Sequence, residues 1–465
     1  MVSRSPSTAT LKQFARLISD RVEQIPLAQL KPFARQTRTH SDQQLGLIMG
    51  SFEAFGVINP LIIDEGGHVL AGQGRWEAAK RLGIAELPAV RVDYLTDDEK
   101  RAYVIADNRI AEKAGWDREA LAIEFAHLTS IDLGFEIDTL GFTTTEIDLV
   151  IAEADATEAE LDEDLPALPQ QPATVLGDLW ILGKHKLLCG SALERTAYEQ
   201  LLGDRKARMA LTDPPYNVPI DGFVGGLGKA KHREFAMAAG EMSEDQFSSF
   251  LFTAISNMAE FLIDGGLLYS FMDFRHVREL LEAGRAAGLG LHNLCVWDKM
   301  SGGMGSHYRG QHELCPIFKK GKAPHLNTVE LGKHGRYRTN VWSHRGMSSF
   351  GRGRDEALAS HPTVKPVGLL IEAIKDCTRR GDLVIDPFLG SGSTLIAAEK
   401  AGRVCFGIEL DPLYCDLIIS RFDKLSGIQA VNAATGLSFA ETKQISAIAS
   451  APNTDALTKS EAENV

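Results

Sequence analysis

Two short stretches of the chain carry residue types that do chemistry. The first is Asp386-Pro387-Phe388-Leu389-Gly390-Ser391-Gly392, which follows the apolar run Leu383-Val384-Ile385. A short apolar run ending in an acid suits a buried parallel strand. The glycines that follow let the backbone approach a ligand closely where a helix begins. Ser393 and Thr394 can cap that helix, which continues through Leu395 to Lys400 and ends near Gly402. The next apolar run, Val404 to Ile408, delivers Glu409. It falls about 20 residues after the loop, where an acid in a nucleotide-binding βαβ unit accepts hydrogen bonds from ribose hydroxyls. The second stretch, Asp213-Pro214-Pro215-Tyr216, closes the apolar run Ala207 to Leu211. That position is the carboxyl end of a predicted strand, where ligands sit in open α/β sheets. A polar tetrapeptide has little reason to sit there unless something reacts.

Taken together, with the tetrapeptide upstream of the loop, these motifs resemble the β class of amino-methyltransferases. That family modifies exocyclic NH2 groups of DNA bases with S-adenosylmethionine. The resemblance implies an α/β, doubly wound Rossmann-like methyltransferase domain acting on double-stranded DNA, and it is compatible with a homodimer. It implies catalytic roles for Asp213, Pro214, Pro215 and Tyr216, and cofactor contacts from Asp386, Phe388, Gly390, Ser391, Gly392 and Glu409. His361-Pro362-Thr363-Val364-Lys365-Pro366 resembles the family's additional cofactor segment, with Thr363 and Lys365 near the methionine end.

The chemistry explains why such residues are needed. An exocyclic amine of adenine or cytosine is a poor nucleophile because its lone pair is delocalised into the ring. A carboxylate on one N–H and a main-chain carbonyl on the other can pull that nitrogen towards tetrahedral geometry. Asp213 offers the carboxylate, and Pro214 offers a carbonyl without an N–H. Pro215 stiffens the turn through its fixed φ. Tyr216 presents an aromatic face for a base flipped out of the duplex. Ring-carbon methylation of cytosine needs a Pro-Cys nucleophile, and the chain has none. Protein-glutamine methylation in related folds usually has Asn at the first position, and cytosine-N4 enzymes more often have Ser. Asp213 therefore favours adenine-N6, with cytosine-N4 as the alternative. A reading from another class is a partition or regulatory protein whose methyltransferase domain is inactive.

The net charge of −13 opposes binding to a polyanion such as DNA, but its distribution is uneven. Lys299 to Arg354 holds eleven Lys or Arg against two acids, Glu313 and Glu330. Only the local field at the interface must be positive. Residues 319–355 are therefore expected outside the sheet as a target-recognition segment, with Lys333, Arg336, Arg338 and Arg345 on DNA. The six scattered cysteines form no Cys-x-x-Cys pair and read as reduced, buried thiols. No metal site is expected. No apolar run reaches the length of a membrane span, so the chain reads as cytoplasmic, in a prokaryotic cell or encoded by a phage.

Several elements must hold these residues. Residues 175–425 form the methyltransferase domain, opened by a hairpin over 177–190. Residues 23–115 show a compact α/β pattern. Ser41 caps a helix bearing Leu45, Ile48, Phe52 and Phe55, and Leu61–Asp64 and His68–Ala71 form a hairpin. A second helix runs from Trp76 to Leu82, and Thr96 with Glu99 makes a capping box. With Gly72, Arg75, Ala78 and Ala79, this region resembles the ParB/sulfiredoxin-like fold. No cysteine stands in the loop, which excludes sulfiredoxin chemistry, and Gln73 and Gly74 depart from the partition-protein pattern. Arg75 is expected to contact DNA in an accessory role. Residues 116–151 read as a helical extension. Residues 152–174 hold seven acids, no base and three prolines, and read as a linker. Residues 426–465 are expected to be disordered.

Overall fold

The computed structural model describes residues 22–34, 38–131, 133–155, 166, 168–218, 240–302, 307–332, 337–345 and 364–449. The chain divides into two units at residue 156. Among the described residues no helix is long and apolar enough to cross a membrane. The six cysteines are all buried and unpaired with one another.

The first unit is built on strands β1 (Val22–Pro26), β2 (Lys31–Pro32), β3 (Leu61–Asp64), β4 (His68–Ala71) and β5 (Glu86–Val92), in the order β1-β5-β3-β4-β2. The expected hairpin is present, with β3 antiparallel to β4. The helix Asp42–Phe55 starts at Ser41, whose hydroxyl accepts the Gln44 N–H. The helix Gln73–Leu82 begins earlier than expected because Gly72, at φ +93°, turns the chain into it. A side chain on Gly72 would collide with Leu61. Leu61, Ile63, Trp76, Ala79 and Leu87 fill the core behind the sheet. Helices Arg118–Ser130 and Thr144–Asp155 form a smaller cluster around Ala122, Phe125, Ile147 and Val150.

The second unit carries one sheet of ten strands: β6 (Leu179–Leu182), β7 (His185–Cys189), β8 (Ala207–Thr212), β9 (Leu262–Ser270), β10 (Gly290–Asp298), β11 (His312–Lys319), β12 (Val341–Ser343), β13 (Leu383–Asp386), β14 (Val404–Glu409) and β15 (Val431–Asn432). Their order is β12-β10-β11-β9-β8-β13-β14-β7-β6-β15. The central run β9-β8-β13-β14-β7 is parallel, and antiparallel pairs flank it. Side chains alternate along each central strand. In β13, Val384 joins a cluster with helices Val367–Lys375, Ser393–Lys400 and Pro412–Ser426. Leu383 and Ile385 face helices Arg195–Leu202, Glu244–Phe261 and Val277–Ala286 instead. Burial on both faces is what makes these strands continuous apolar runs.

The order in which the strands are connected reverses between β8 and β13. From β8 the chain crosses to β9 on one side, and from β13 to β14 on the other. This is a topological switch point, where a crevice opens beyond the strand ends. Both chemistry-bearing stretches leave the sheet there.

Three expectations need correction. Residues 341–343 are not outside the sheet: β12 is its edge strand, parallel to β10, and Trp342 is buried in the core. The region beyond 426 is ordered through Ala449, where β15 pairs with β6 and Phe439 packs edge-on against Trp180. The end of the acidic stretch is also docked. Ala173 and Thr174 are buried and donate their N–H groups to Asp416 at 2.6 and 3.1 Å.

Candidate active site

The loop after β13 is shaped by its two glycines. Gly390 adopts φ +54°, and a Cβ there would meet nothing closer than the Phe388 carbonyl at 4.0 Å. The backbone is therefore open on that side. Gly392, at φ +88°, precedes the helix Ser393–Lys400, and a Cβ there would press on Ile418 at 3.1 Å. The Ser391 carbonyl accepts a hydrogen bond from Arg421 at 3.1 Å. Glu409, at the end of β14, takes the Gly390 N–H on Oε2 at 2.8 Å and the Asp411 N–H on Oε1 at 2.9 Å. Each carboxylate oxygen retains accepting capacity. Burial pushes Glu409 up to about 7. An open glycine backbone beside a fixed, partly buried acid fits a nucleotide cofactor.

Asp386 behaves differently. It is buried, and its Oδ1 accepts from the Thr212 hydroxyl at 2.8 Å and the Phe388 N–H at 3.1 Å. Burial raises its pKa to about 6. This carboxylate ties the ends of β8 and β13 together rather than facing an open space. Phe388 lies against Phe250 with ring centroids 5.7 Å apart.

Asp213 to Tyr216 follow β8 directly. The Tyr216 hydroxyl donates to Asp213 Oδ1 at 2.6 Å, with Glu313 Oε2 at 3.1 Å. Lys365 Nζ is bonded to Asp213 Oδ2, lies 3.0 Å from Glu313 Oε2, and is 3.3 Å from the Tyr216 hydroxyl. Lys299 Nζ pairs with Glu313 Oε1 at 2.6 Å. The Lys365 ammonium also sits 5.1 to 5.7 Å from the ring centroids of Phe271, Tyr216 and Trp297. Burial raises the pKa of Asp213, against the opposing pull of Lys365. For Glu313 burial acts upward too, but Lys365 and Lys299 prevail and hold it at about 2.

Lys365, expected at the methionine end of the cofactor, thus pairs with the tetrapeptide's carboxylate. Sequence reading missed Glu313, Lys299, Phe271 and Trp297. β11 and β10 deliver three of them: Glu313 stands directly across from Trp297 in the antiparallel ladder, and Lys299 follows two residues on. A signal was present, since Glu313 is one of only two acids in a long basic stretch.

The expected DNA contacts separate. Arg338 is a correction: its side chain is 18% exposed and bonded to Asp376 and Glu372, so it braces the fold. Arg345 is exposed. Lys333, Arg336 and Thr363 lie outside the described residues. Arg75 belongs to the first unit, where it lines a cavity of about 220 Å³ with Arg38, His40, Gly72, Asp107 and Asn108. Its guanidinium reaches the Pro60 carbonyl at 3.3 Å, and it is half-buried rather than on an open face.

Comparison with known proteins identifies the family. Residues 207–420 match the DNA methylase family model, residues 12–109 the ParB N-terminal domain, and residues 119–176 the ParB-methyltransferase HTH domain. The chain is 30% identical over 200 residues to "Putative methylase YubD" of Escherichia coli (strain K12), spanning 43% of this chain and 74% of that one. It is 41% identical over 76 residues to the ParB-like nuclease domain-containing protein YnaK of the same organism, 16% of this chain and 87% of the relative. Among solved structures, the complex of M1.HpyAVI with SAM covers 51% of this chain and 98% of its own, at 20% identity and a TM-score of 0.38. The chain belongs to the DNA methylase family, with a ParB-like domain at its N-terminal end. The HTH match covers what sequence reading took for a helical extension and an acidic linker.

Proposed function

We propose that the chain transfers a methyl group from S-adenosylmethionine to the N6 amino group of adenine in double-stranded DNA, at sites of fixed sequence, in the cytoplasm of a prokaryotic cell. The observation that carries the proposal is the hydrogen bond from Thr212 to Asp386, which joins the strand end leading into Asp213 to the strand end leading into the glycine loop. When bound, the cofactor supplies a methyl group on a sulfonium sulfur that departs as a thioether.

The chain's own residues supply positioning and charge. The backbone at Gly390 and Gly392 leaves room for the cofactor, and Glu409 accepts from its ribose hydroxyls. Asp213 and the Pro214 carbonyl hold the two N–H bonds of the target amine, while Tyr216 offers a face to a flipped base. Asp213 would take the proton that the amine gives up on methylation. The raised pKa of that carboxylate suits it to take the proton. Most of the acceleration comes from alignment and fixed charges. The HTH and ParB-like regions are proposed to help engage DNA.

Asp213 at the first position of the tetrapeptide supports adenine over cytosine. Methylation-sensitive long-read sequencing of DNA from cells expressing the protein tests this. Modified adenine in one short context is expected; N4-methylcytosine would replace adenine by the alternative base, and unmodified DNA would overturn the proposal.

A further inference from the structure

Asp213 must do something that its surroundings oppose. A carboxylate pulling on an amine N–H needs its full negative charge, yet one oxygen is bonded to the Lys365 ammonium and the other to the Tyr216 hydroxyl. An ammonium in direct contact draws charge away and weakens the acceptor. In a half-buried site such a pair is not screened by water as a surface pair would be.

The same two donors have a second acceptor in reach. Glu313 Oε2 lies 3.0 Å from Lys365 Nζ and 3.1 Å from the Tyr216 hydroxyl. Glu313 itself is firmly placed, 13% exposed, with Lys299 on its other oxygen at 2.6 Å. Two carboxylates and two ammonium groups therefore share one small site, and the lysine stands between the carboxylates.

Resting on the methyltransferase reading above, we propose that Glu313 is a positioning residue that takes over Lys365 and Tyr216 when the target base enters. Lys365 releases Asp213 Oδ2 and keeps its existing contact with Glu313 Oε2, and the Tyr216 hydroxyl rotates from Asp213 Oδ1 to Glu313 Oε2. No bond is made or broken beyond hydrogen bonds, and the charge of the cluster is unchanged. Asp213 emerges with both oxygens free for the amine. Before the base arrives, the same lysine keeps Asp213 paired, so the buried carboxylate is never left alone. Glu313 acts through these two groups and not on the base.

The test compares wild type, E313Q and the double variant E313Q/K365M in the full chain. Steady-state methylation gives kcat and KM for DNA, and calorimetry gives cofactor affinity. Glutamine keeps the shape but gives up the charge that attracts Lys365. E313Q is expected to lower kcat about 10- to 100-fold, below the roughly 10²–10³-fold of losing a hydrogen bond made directly to the transition state, because Glu313 acts through Lys365 and Tyr216. KM for DNA and cofactor affinity should stay within about threefold, well inside the tenfold that 1.36 kcal/mol represents. Adding K365M removes the competitor for Asp213 and should recover roughly tenfold in kcat, a coupling typical of contacting residues. A purely structural role would not produce that recovery. Wild-type kcat in E313Q, or a double variant no faster than E313Q, overturns the proposal alone. A wild type that binds cofactor but methylates no amine in DNA overturns the functional reading and this one with it.

Discussion

The Thr212 hydroxyl donates to Asp386 Oδ1 across 2.8 Å, joining the last residues of two neighbouring parallel strands. The strand ends that carry the tetrapeptide and the glycine loop are thereby held in one register. Thr212→Val keeps the shape of the side chain and removes the donor. It should cost about 1–2 kcal/mol, because the buried Asp386 carboxylate loses one of its donors. Denaturant unfolding would measure that loss, and cofactor affinity and turnover should fall together. A variant that lost only turnover would show that the bond does not serve the cofactor loop.

Asp213→Ala should reduce methyl transfer by about a hundredfold or more, the range for removing a group that acts on the transition state. Cofactor affinity should remain close to wild type, because no group at Gly390 or Glu409 is touched. Calorimetry beside a methylation assay separates the two. Near-full turnover would contradict the role given to this carboxylate.

Cofactor affinity should depend on pH through Glu409. Burial raises this acid to about 7. Above that pH it is ionised and accepts from ribose hydroxyls; below it, protonation removes part of that capacity. Affinity should therefore fall as pH drops from 8 to 6. Glu409→Gln should bind more weakly and lose most of this slope. A wild-type affinity constant across that window would mean that the acid does not contact the cofactor.

Arg338 and Arg345 should part company when replaced by alanine. Arg338→Ala removes the guanidinium that pairs with buried Asp376 and should destabilise the second unit by about 2–4 kcal/mol, somewhat below the cost of breaking a fully buried pair. Arg345→Ala should leave unfolding unchanged and, for a phosphate contact, weaken binding to all DNA while lowering the salt slope by about one. Unfolding curves and a salt titration of DNA binding distinguish them. An Arg338→Ala chain as stable as wild type would return that arginine to the group of DNA contacts.

Features close in sequence were legible, and those assembled across the sheet were not. The run ending at Asp386, the glycines at 390 and 392 and the spacing to Glu409 are local, and strand, loop and helix follow them. The tetrapeptide after Leu211 was legible for the same reason. Glu313 was not: it reaches Tyr216 only because β11 pairs with β9 and β10, and no local pattern encodes that pairing. Arg338 looked like a surface base because composition cannot show Asp376 waiting for it. The segment after Ser426 looked too polar to fold, yet Phe439 finds the buried Trp180 and orders it. The acidic stretch misled by the same route, since Asp416 accepts its final N–H groups.

Two negative and two positive side chains meet at Asp213, Glu313, Lys299 and Lys365. An electrically balanced cluster has no need of counterions when a neutral base replaces water in it. Ionic strength should then govern how often DNA arrives and hardly touch what happens once it has docked. Such an enzyme can be tuned to a saltier or fresher interior by exchanging surface charges alone, with its chemistry left as it was.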